Sequence, residues 1–280
     1  MSGGLPLATR RASDERALRR SPSRRESRFL LTSQMRLKVV SYNIQGHAAA
    51  KRADHIPKIA ATIAELAPDV AGLQEVHCRT RQSGLLDQAE ALAKLTGLNL
   101  FFGRSCAMDG GDYGNAVLTR GTIESATVHP LPGSGEPRSL LQSRIVIGGA
   151  AMTFFVTHLA AWGRLLRGAR LQQIASLGDI TARAGGPHVL VGDFNVAPAA
   201  EELRVLLAHG HLRIAGETRE PTFPLTRQRL DYVFCDARWN YAGGEVARRG
   251  PSDHWPLVAC LDLGVEAPNA VGNATASGLV

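Results

Sequence analysis

Short apolar runs alternate along the chain with longer stretches whose apolar residues recur three and four positions apart. These two periods predict strands and helices in turn. Leu37 to Asn43 is rich in β-branched residues and reads as the first strand. From Asp54 to Leu66 the positions Ile56, Ile59, Ala60, Ile63 and Leu66 share a helical face, with Pro57 in the first turn, where its missing N–H is tolerated. Ala67–Pro68–Asp69 stops that helix, and Val70–Gln74 is a short buried strand ending at Glu75. A second amphipathic helix is expected from Leu85 to Leu95, closed by Gly97, followed by a strand at Leu98–Phe102. The glycine-rich stretch Asp109–Gly114 reads as a loop leading into a strand at Asn115–Arg120. Further strands are expected at Thr122–His129, Arg138–Ile147 and Met152–Thr157, the last ending at His158. Leu165 to Ala182 is the longest helix, with Leu166, Ala169, Ile174 and Leu177 on its apolar face. His188–Asp193 is an apolar run bounded by Gly185–Gly186–Pro187 and Gly192, the pattern of a strand buried on both faces. A short helix at about 199–208 and strands at Arg229–Phe234 and Trp255–Leu263 complete the body. Strands alternate with helices at both ends and meander in the middle, which predicts a mixed-sheet α/β sandwich with helices outside and no internal repeat.

Composition narrows the class. The 280 residues suffice for one large domain with a substantial core, and 44% hydrophobic with 20% charged residues is ordinary for a globular protein. No apolar run approaches the roughly 20 residues that span a bilayer. Cys78, Cys106, Cys235 and Cys260 are far apart, so neither a zinc cluster nor a disulfide framework is indicated, and a reducing, cytoplasmic setting is expected. The net charge of +7 suggests nucleic acid until it is located: residues 1–36 hold nine arginines and three acids, whereas residues 37–280 hold 23 basic and 22 acidic side chains. The domain reading is therefore a basic, disordered tail at 1–36, a catalytic body at 37–263 and a frayed tail at 264–280, with Met35 as a candidate start. A monomer is expected.

The strand ends carry the candidate chemistry. Asn43, Glu75, His158, Asp193 with Asn195, and Asp231 each finish or abut a different strand, and Asp253–His254 precedes the last one. Turn propensity accounts for a single Asp or Asn, but not for Glu75 or His158. Strands of one sheet can gather such groups at one rim. Hard carboxylate and amide oxygens without a cysteine partner favour Mg²⁺ or Mn²⁺, one ion or two, and such ions commonly serve phosphoryl chemistry. The HxH pair His209 and His211 reads as surface residues, and Arg170 with Gln173, near one turn apart on a helix, reads as a solvated face.

Seven stretches carry a resemblance: SYNIQG at 41–46, LQEV at 73–76, YGNAVLTR at 113–120, THL at 157–159, GDFN at 192–195, RLDYVF at 229–234 and SDHWPLV at 252–258. In this order they resemble the endonuclease/exonuclease/phosphatase superfamily, the metal-dependent phosphoesterases related to deoxyribonuclease I. The resemblance implies a four-layer α/β sandwich of two packed mixed β-sheets flanked by helices, with the site at one rim. It implies Asn43, Glu75 and Asp253 as metal ligands, Asp193 as the base for the attacking water, and Asn195 as its companion on the phosphate. His254, oriented by Asp231, and His158 would donate to the phosphate or leaving group. Tyr113 and Asn115 are the candidate phosphate-binding pair, or simply pack the Gly114 turn. His47 and His77 follow their strands closely enough to line the rim.

The substrate is less legible. Val76–His77 after Glu75, together with His158, speaks against an abasic-site endonuclease, and GDFN rather than GDLN speaks against the sphingomyelinase and inositol-phosphatase branches. The YGNA stretch and the TFP at 222–224 are most similar to the generic bacterial branch. A near-neutral body offers no basic stripe for duplex DNA, although Arg164, Arg167 and Arg170 supply a local edge. The expectation is a phosphodiesterase, nuclease activity included. The alternatives are a lipid or small-molecule phosphoesterase and a non-catalytic binding module.

Overall fold

The computed structural model describes residues 35–161, 165–216 and 219–264. In chain order the elements are β1 (Arg36–Asn43), α1 (His55–Leu66), β2 (Val70–Cys78), α2 (Gln88–Thr96), β3 (Asn99–Met108), β4 (Gly111–Thr119), β5 (Thr122–Leu131), β6 (Arg138–Ile147), β7 (Ala150–His158), α3 (Arg167–Ala182), β8 (His188–Asp193), α4 (Glu201–Ala208), β9 (Arg213–Ile214), β10 (Asp231–Cys235), β11 (Trp239–Val246) and β12 (Leu257–Leu263). Short 3₁₀ turns occupy Gly46–Ala50 and Arg81–Ser83. The expected tails at 1–36 and 264–280 fall outside the described residues except for residues 35, 36 and 264, with Arg36 already opening β1, and Arg164 falls outside them too.

The strands form two six-stranded sheets, ordered β11-β12-β1-β2-β4-β3 and β5-β6-β7-β8-β10-β9. Val39, Val70, Val117, Phe154, Val156, Val189, Val191 and Val233 meet between the sheets. The outer face of the first sheet packs Val40, Tyr42 and Leu73 against Ile56, Ile59 and Ile63 of α1 and Leu92 of α2. The outer face of the second packs Phe155, Leu190 and Phe234 against Ile174 and Leu177 of α3 and Leu203 and Leu206 of α4. This is the four-layer sandwich. Strands buried on both faces are what the unbroken apolar runs required.

Among the described residues two neighbouring pairs are parallel, β1 with β2 and β7 with β8. Parallel strands end on the same side, so Asn43 and the region of Glu75 share a rim of one sheet, and His158 and Asp193 share a rim of the other. β10 runs antiparallel to β8, and its first residue, Asp231, pairs with Asp193 at the last residue of β8. A strand start and a strand end thus meet at the same rim.

Three departures from the sequence reading have physical causes. α2 begins at Gln88 rather than Leu85 because Asp87 caps it, its side chain accepting from the Glu90 N–H. The expected loop at Asp109–Gly114 is a turn only at Asp109–Gly110. From Gly111 the chain is already β4, and a Cβ at Gly114 would collide with the Gly103 carbonyl oxygen on the adjoining β3. The glycines permit close strand approach rather than a loop. β11 carries no alternating pattern in the sequence: it is an edge strand with Gly243, Gly244 and a register shift after Tyr241, and only its ends, Trp239 and Val246, are buried.

Candidate active site

Asn43 joins the two rims. Its Nδ2 donates to Glu75 Oε1 at 3.0 Å and to Asp193 Oδ2 at 3.1 Å, one acceptor on each sheet. Its Oδ1 accepts from the Gln45 N–H at 3.1 Å. Gln45 Nε2 then donates to Asp253 Oδ2 at 2.9 Å. Ser252 Oγ donates to the Asn43 carbonyl at 2.7 Å and accepts from the His254 N–H at 3.1 Å. The loop before β12 is thereby clamped to the end of β1, which brings Asp253 and His254 to residues two hundred positions earlier.

A charged group sits beside this clamp. Asp231 Oδ2 lies 2.8 Å from His254 Nδ1, and His254 Nε2 is 3.6 Å from Asp193 Oδ2. Burial opposes the charged imidazole, but the charges of Asp231 and Asp193 and the hydrogen bond that His254 donates to Asp231 outweigh it and raise His254 to about 10. Asp193 shifts upward because it is buried, with the charge of Asp231 adding and that of His254 opposing. His158, at the end of β7, has its Nε2 3.6 Å from Asp193 Oδ2 and its Nδ1 buried without a hydrogen-bond partner. Burial, helped by nearby Arg138, holds it well below the usual histidine range, so it is a neutral imidazole. Phe223 closes one side, its ring 4.9 Å from that of His254. Its neighbour Thr222 accepts from the Leu230 and Asp231 N–H groups at 3.0 and 3.1 Å, which fixes the start of β10.

Two site residues hold left-handed backbone, Glu75 at φ 58° and Asn195 at φ 52°. Such a conformation is unusual for a glutamate and marks a position over-determined by its surroundings. Glu75 sits where β2 and β4 slip register, which turns its side chain into the cleft. Burial raises its pKa, yet the contact with His47, the hydrogen bond from Asn43 and the fields of His158 and His254 bring it down to about 2. Asp253 is half-buried and is pushed upward by that burial, with Glu75 adding. Asn195 donates its N–H to Asp193 Oδ1 at 2.9 Å and its Nδ2 to the Leu159 carbonyl at 3.0 Å. It braces the base of the cleft through its backbone.

The cleft measures about 390 Å³ and is lined by Glu75, Tyr113, Glu136, Arg138, His158, Asp193, Asn195, Phe223, Asp253 and His254, among others. Arg138 is the residue that sequence reasoning missed. It opens β6, is 8% exposed, pairs one nitrogen with Glu136 Oε1 at 3.2 Å, and leaves Nε and Nη1 buried with no partner. The available signal was an arginine two positions before the buried Leu140–Leu141 pair, at the start of a strand where the chain cannot move the side chain far. Tyr113 lines the cleft edge-on to His77, ring centroids 5.0 Å apart. The Asn115 amide instead donates to the Ser139 carbonyl at 3.3 Å, tying β4 to β6 next to Arg138. His47 is exposed, 3.7 Å from Glu75 Oε2, and that contact raises its pKa. His77 is buried on Thr80 Oγ1 at 2.9 Å and is pushed down to about 4 by burial.

The expectation that Arg170 and Gln173 form a solvated face is corrected. Both are buried: Arg170 donates to the Ala160 carbonyl at 3.1 Å and to Glu202 Oε1 at 3.3 Å, and Gln173 Oε1 accepts from the Ala160 N–H at 2.9 Å. They brace the segment that follows His158. Asp231 does not pair its carboxylate with Arg229, whose Nε donates instead to the Asp231 carbonyl at 2.7 Å.

Ligand atoms of Asp193, Asp231 and His254 lie within 4.8 Å of one another, a group that can hold a metal ion. Among the described residues no helix is long and apolar enough to cross a membrane. Two mixed sheets packed between helices, with acids, amides and imidazoles meeting at one shared rim, define the deoxyribonuclease I-like class. The chain belongs to the Endonuclease/Exonuclease/phosphatase family, whose model matches residues 40–254. The uncharacterized protein YbhP of Escherichia coli K12 is 29% identical over 256 residues, covering 83% of this chain and 98% of that protein. An endonuclease/exonuclease/phosphatase structure from Beutenbergia cavernae superposes with TM-score 0.68 at 26% identity, over 82% of this chain and 72% of that one. D. rerio TDP2 complexed with a single-strand DNA product shares the fold at TM-score 0.64 and 18% identity, over 81% and 98% of the two chains. Members of the family are phosphoester hydrolases.

Proposed function

We propose that the protein is a divalent-metal-dependent phosphodiesterase that cleaves its substrate by direct attack of water on phosphorus. The observation that carries this reading is the division of charge in the cleft. Glu75 is fully ionised at neutral pH on one side, while the Asp231–His254 pair keeps an imidazolium facing Asp193 on the other.

That division also says where a cation fits. Glu75 and Asp253 offer hard oxygens on the anionic side, the donor type suited to Mg²⁺ or Mn²⁺, and Asn43, whose Oδ1 accepts from the Gln45 N–H, would join them on turning its amide. The Asp193–Asp231–His254 group is the poorer site, because a protonated His254 repels a cation and its Nδ1 is already committed to Asp231. The bound ion would supply charge neutralisation to the phosphoryl oxygens.

The chain's own residues perform the remaining steps. Asp193, raised by burial, accepts the proton of the attacking water while its Oδ1 is held by the Asn195 N–H. The water oxygen bonds to phosphorus as the ester oxygen leaves. His254 donates from Nε2 to a phosphoryl oxygen, and Asp231 holds the tautomer and the charge. His158 is a second, neutral donor towards the phosphate or leaving group. Arg138, with two unpartnered nitrogens in the same cleft, anchors the phosphate by charge-assisted hydrogen bonds. The near-neutral body leaves single-stranded nucleic acid, RNA and small or lipid phosphodiesters as candidate substrates. Release of p-nitrophenol from bis-p-nitrophenyl phosphate, with Asp193→Ala as the control, tests the reaction class. A plasmid, RNA, sphingomyelin and inositol phosphate panel then sorts the substrate.

A further inference from the structure

Glu136 lines the catalytic cleft but has no part in activating the water or moving its proton. The chain around it fixes its place. The pairing of β5 with β6 closes at Leu131 opposite Arg138, and residues 132–137 form the turn between them. Gly133 and Gly135 hold φ 120° and 95°, a backbone that suits glycine. The turn lies on the start of α3: a Cβ at Gly133 would come within 3.0 Å of the Ala169 Cβ, and one at Gly135 within 3.3 Å of Leu166 Cδ1. Pro137 then restricts the backbone between Glu136 and Arg138. The acid is thereby held at the edge of the cleft, its side chain 36% exposed and its Oε1 3.2 Å from Arg138 Nη2.

An ion pair that served only to accommodate Arg138 would draw the glutamate pKa down. Here it is raised: burial is the largest cause, and the charge of Glu75 adds to it while that of Arg138 opposes. The carboxylate therefore stands where the cleft disfavours negative charge, next to the group that anchors the phosphate. That position has a consequence for which anions the cleft accepts. A phosphodiester carries one negative charge, whereas a phosphomonoester, with a second pKa of about 6, carries nearly two above pH 7. A phosphoryl oxygen hydrogen-bonded to the same guanidinium lies roughly 6 Å from the Glu136 carboxylate. At that separation and an effective dielectric of about 40, each unit of substrate charge is disfavoured about 10-fold. A diester meets this penalty once and a monoester twice.

Building on the phosphodiesterase reading, we propose that Glu136 is the residue that makes the cleft select phosphodiesters over phosphomonoesters. It sets a fixed negative charge, on a rigid turn, against the second charge of a dianion. Arg138 attracts both kinds of phosphate, and Glu136 limits that attraction to the singly charged one.

The test compares wild type, Glu136→Gln and Glu136→Asp at pH 8 and saturating Mg²⁺. Two ratios are read. One is kcat/KM for bis-p-nitrophenyl phosphate against p-nitrophenyl phosphate. The other is inhibition of diester cleavage by dimethyl phosphate, a monoanion, against inorganic phosphate, mostly dianionic at that pH. In Glu136→Gln both ratios should move about 10-fold towards the dianion, while Glu136→Asp keeps the wild-type ratios. Added salt should shrink the shift, as it does for a field and not for a change of shape. Ratios in Glu136→Gln that match those of the wild type overturn the proposal. Equal loss of both activities in that variant also overturns it, because Glu136 then only positions Arg138. A wild type that cleaves no diester with Mg²⁺ refutes the phosphodiesterase reading itself, and the selection by Glu136 falls with it.

Discussion

Replacing Asp231 by asparagine leaves an acceptor for His254 Nδ1 but removes the charge that keeps the imidazole protonated. In the wild type that charge, with the field of Asp193, holds His254 at about 10, so it is fully charged through pH 8. Without it burial is opposed only by the remaining charges of Asp193 and Asp253, and the ordinary value of 6.5 serves as the reference. At that value the charged fraction of the variant is about three-quarters at pH 6 and about 3% at pH 8. The deficit of the variant in kcat/KM should therefore widen with pH, by up to about 20-fold between those two values. The assay is kcat/KM for bis-p-nitrophenyl phosphate from pH 6 to 8 at constant Mg²⁺, wild type against Asp231→Asn. A deficit that stays constant with pH refutes the reasoning, since it means that Asp231 only shapes the site and does not set the charge of His254.

Two further substitutions separate substrate binding from metal binding. Arg138→Ala removes a charged donor from a buried position, so KM should rise by about 10- to 100-fold with a smaller change in kcat, and Arg138→Lys should recover part of it. Equal kinetics in the alanine variant would remove Arg138 from the phosphate site. Glu75→Ala should increase the Mg²⁺ concentration needed for half-maximal rate and be partly rescued by high Mn²⁺, whereas Asp193→Ala should bind Mg²⁺ by calorimetry without turning over. An unshifted Mg²⁺ dependence in Glu75→Ala would move the ion elsewhere in the cleft.

Much of this was readable in the sequence because the relevant signals are local. A strand buried on both faces must be an unbroken apolar run, so a polar residue closing such a run stands out, as Asn43, His158 and Asp193 do. That these ends meet follows from two parallel pairs and one antiparallel neighbour, which the order of elements suggests but periodicity does not show. Arg138 stayed hidden because an arginine at a strand start usually reaches solvent. Only the depth of the cleft, set by residues from other strands and loops, buries it. Arg170 and Gln173 were misread for the same reason: their helical spacing describes a face, but whether that face meets solvent depends on Ala160 and Glu202, which are distant in sequence. Of the HxH pair, His209 is exposed, whereas His211 turns inward onto Thr181 Oγ1 of α3, a partner distant in sequence.

The central claim is that a divalent cation held on the Glu75 side and the base Asp193 together drive phosphodiester hydrolysis. Its most direct test is the rate of p-nitrophenol release from bis-p-nitrophenyl phosphate by the wild type before and after EDTA, and again on adding Mg²⁺ or Mn²⁺ back. The account predicts a rate abolished by the chelator, restored by the cation, and absent at every cation concentration in Asp193→Ala. Release that survives EDTA undiminished, or that persists in Asp193→Ala, would contradict it.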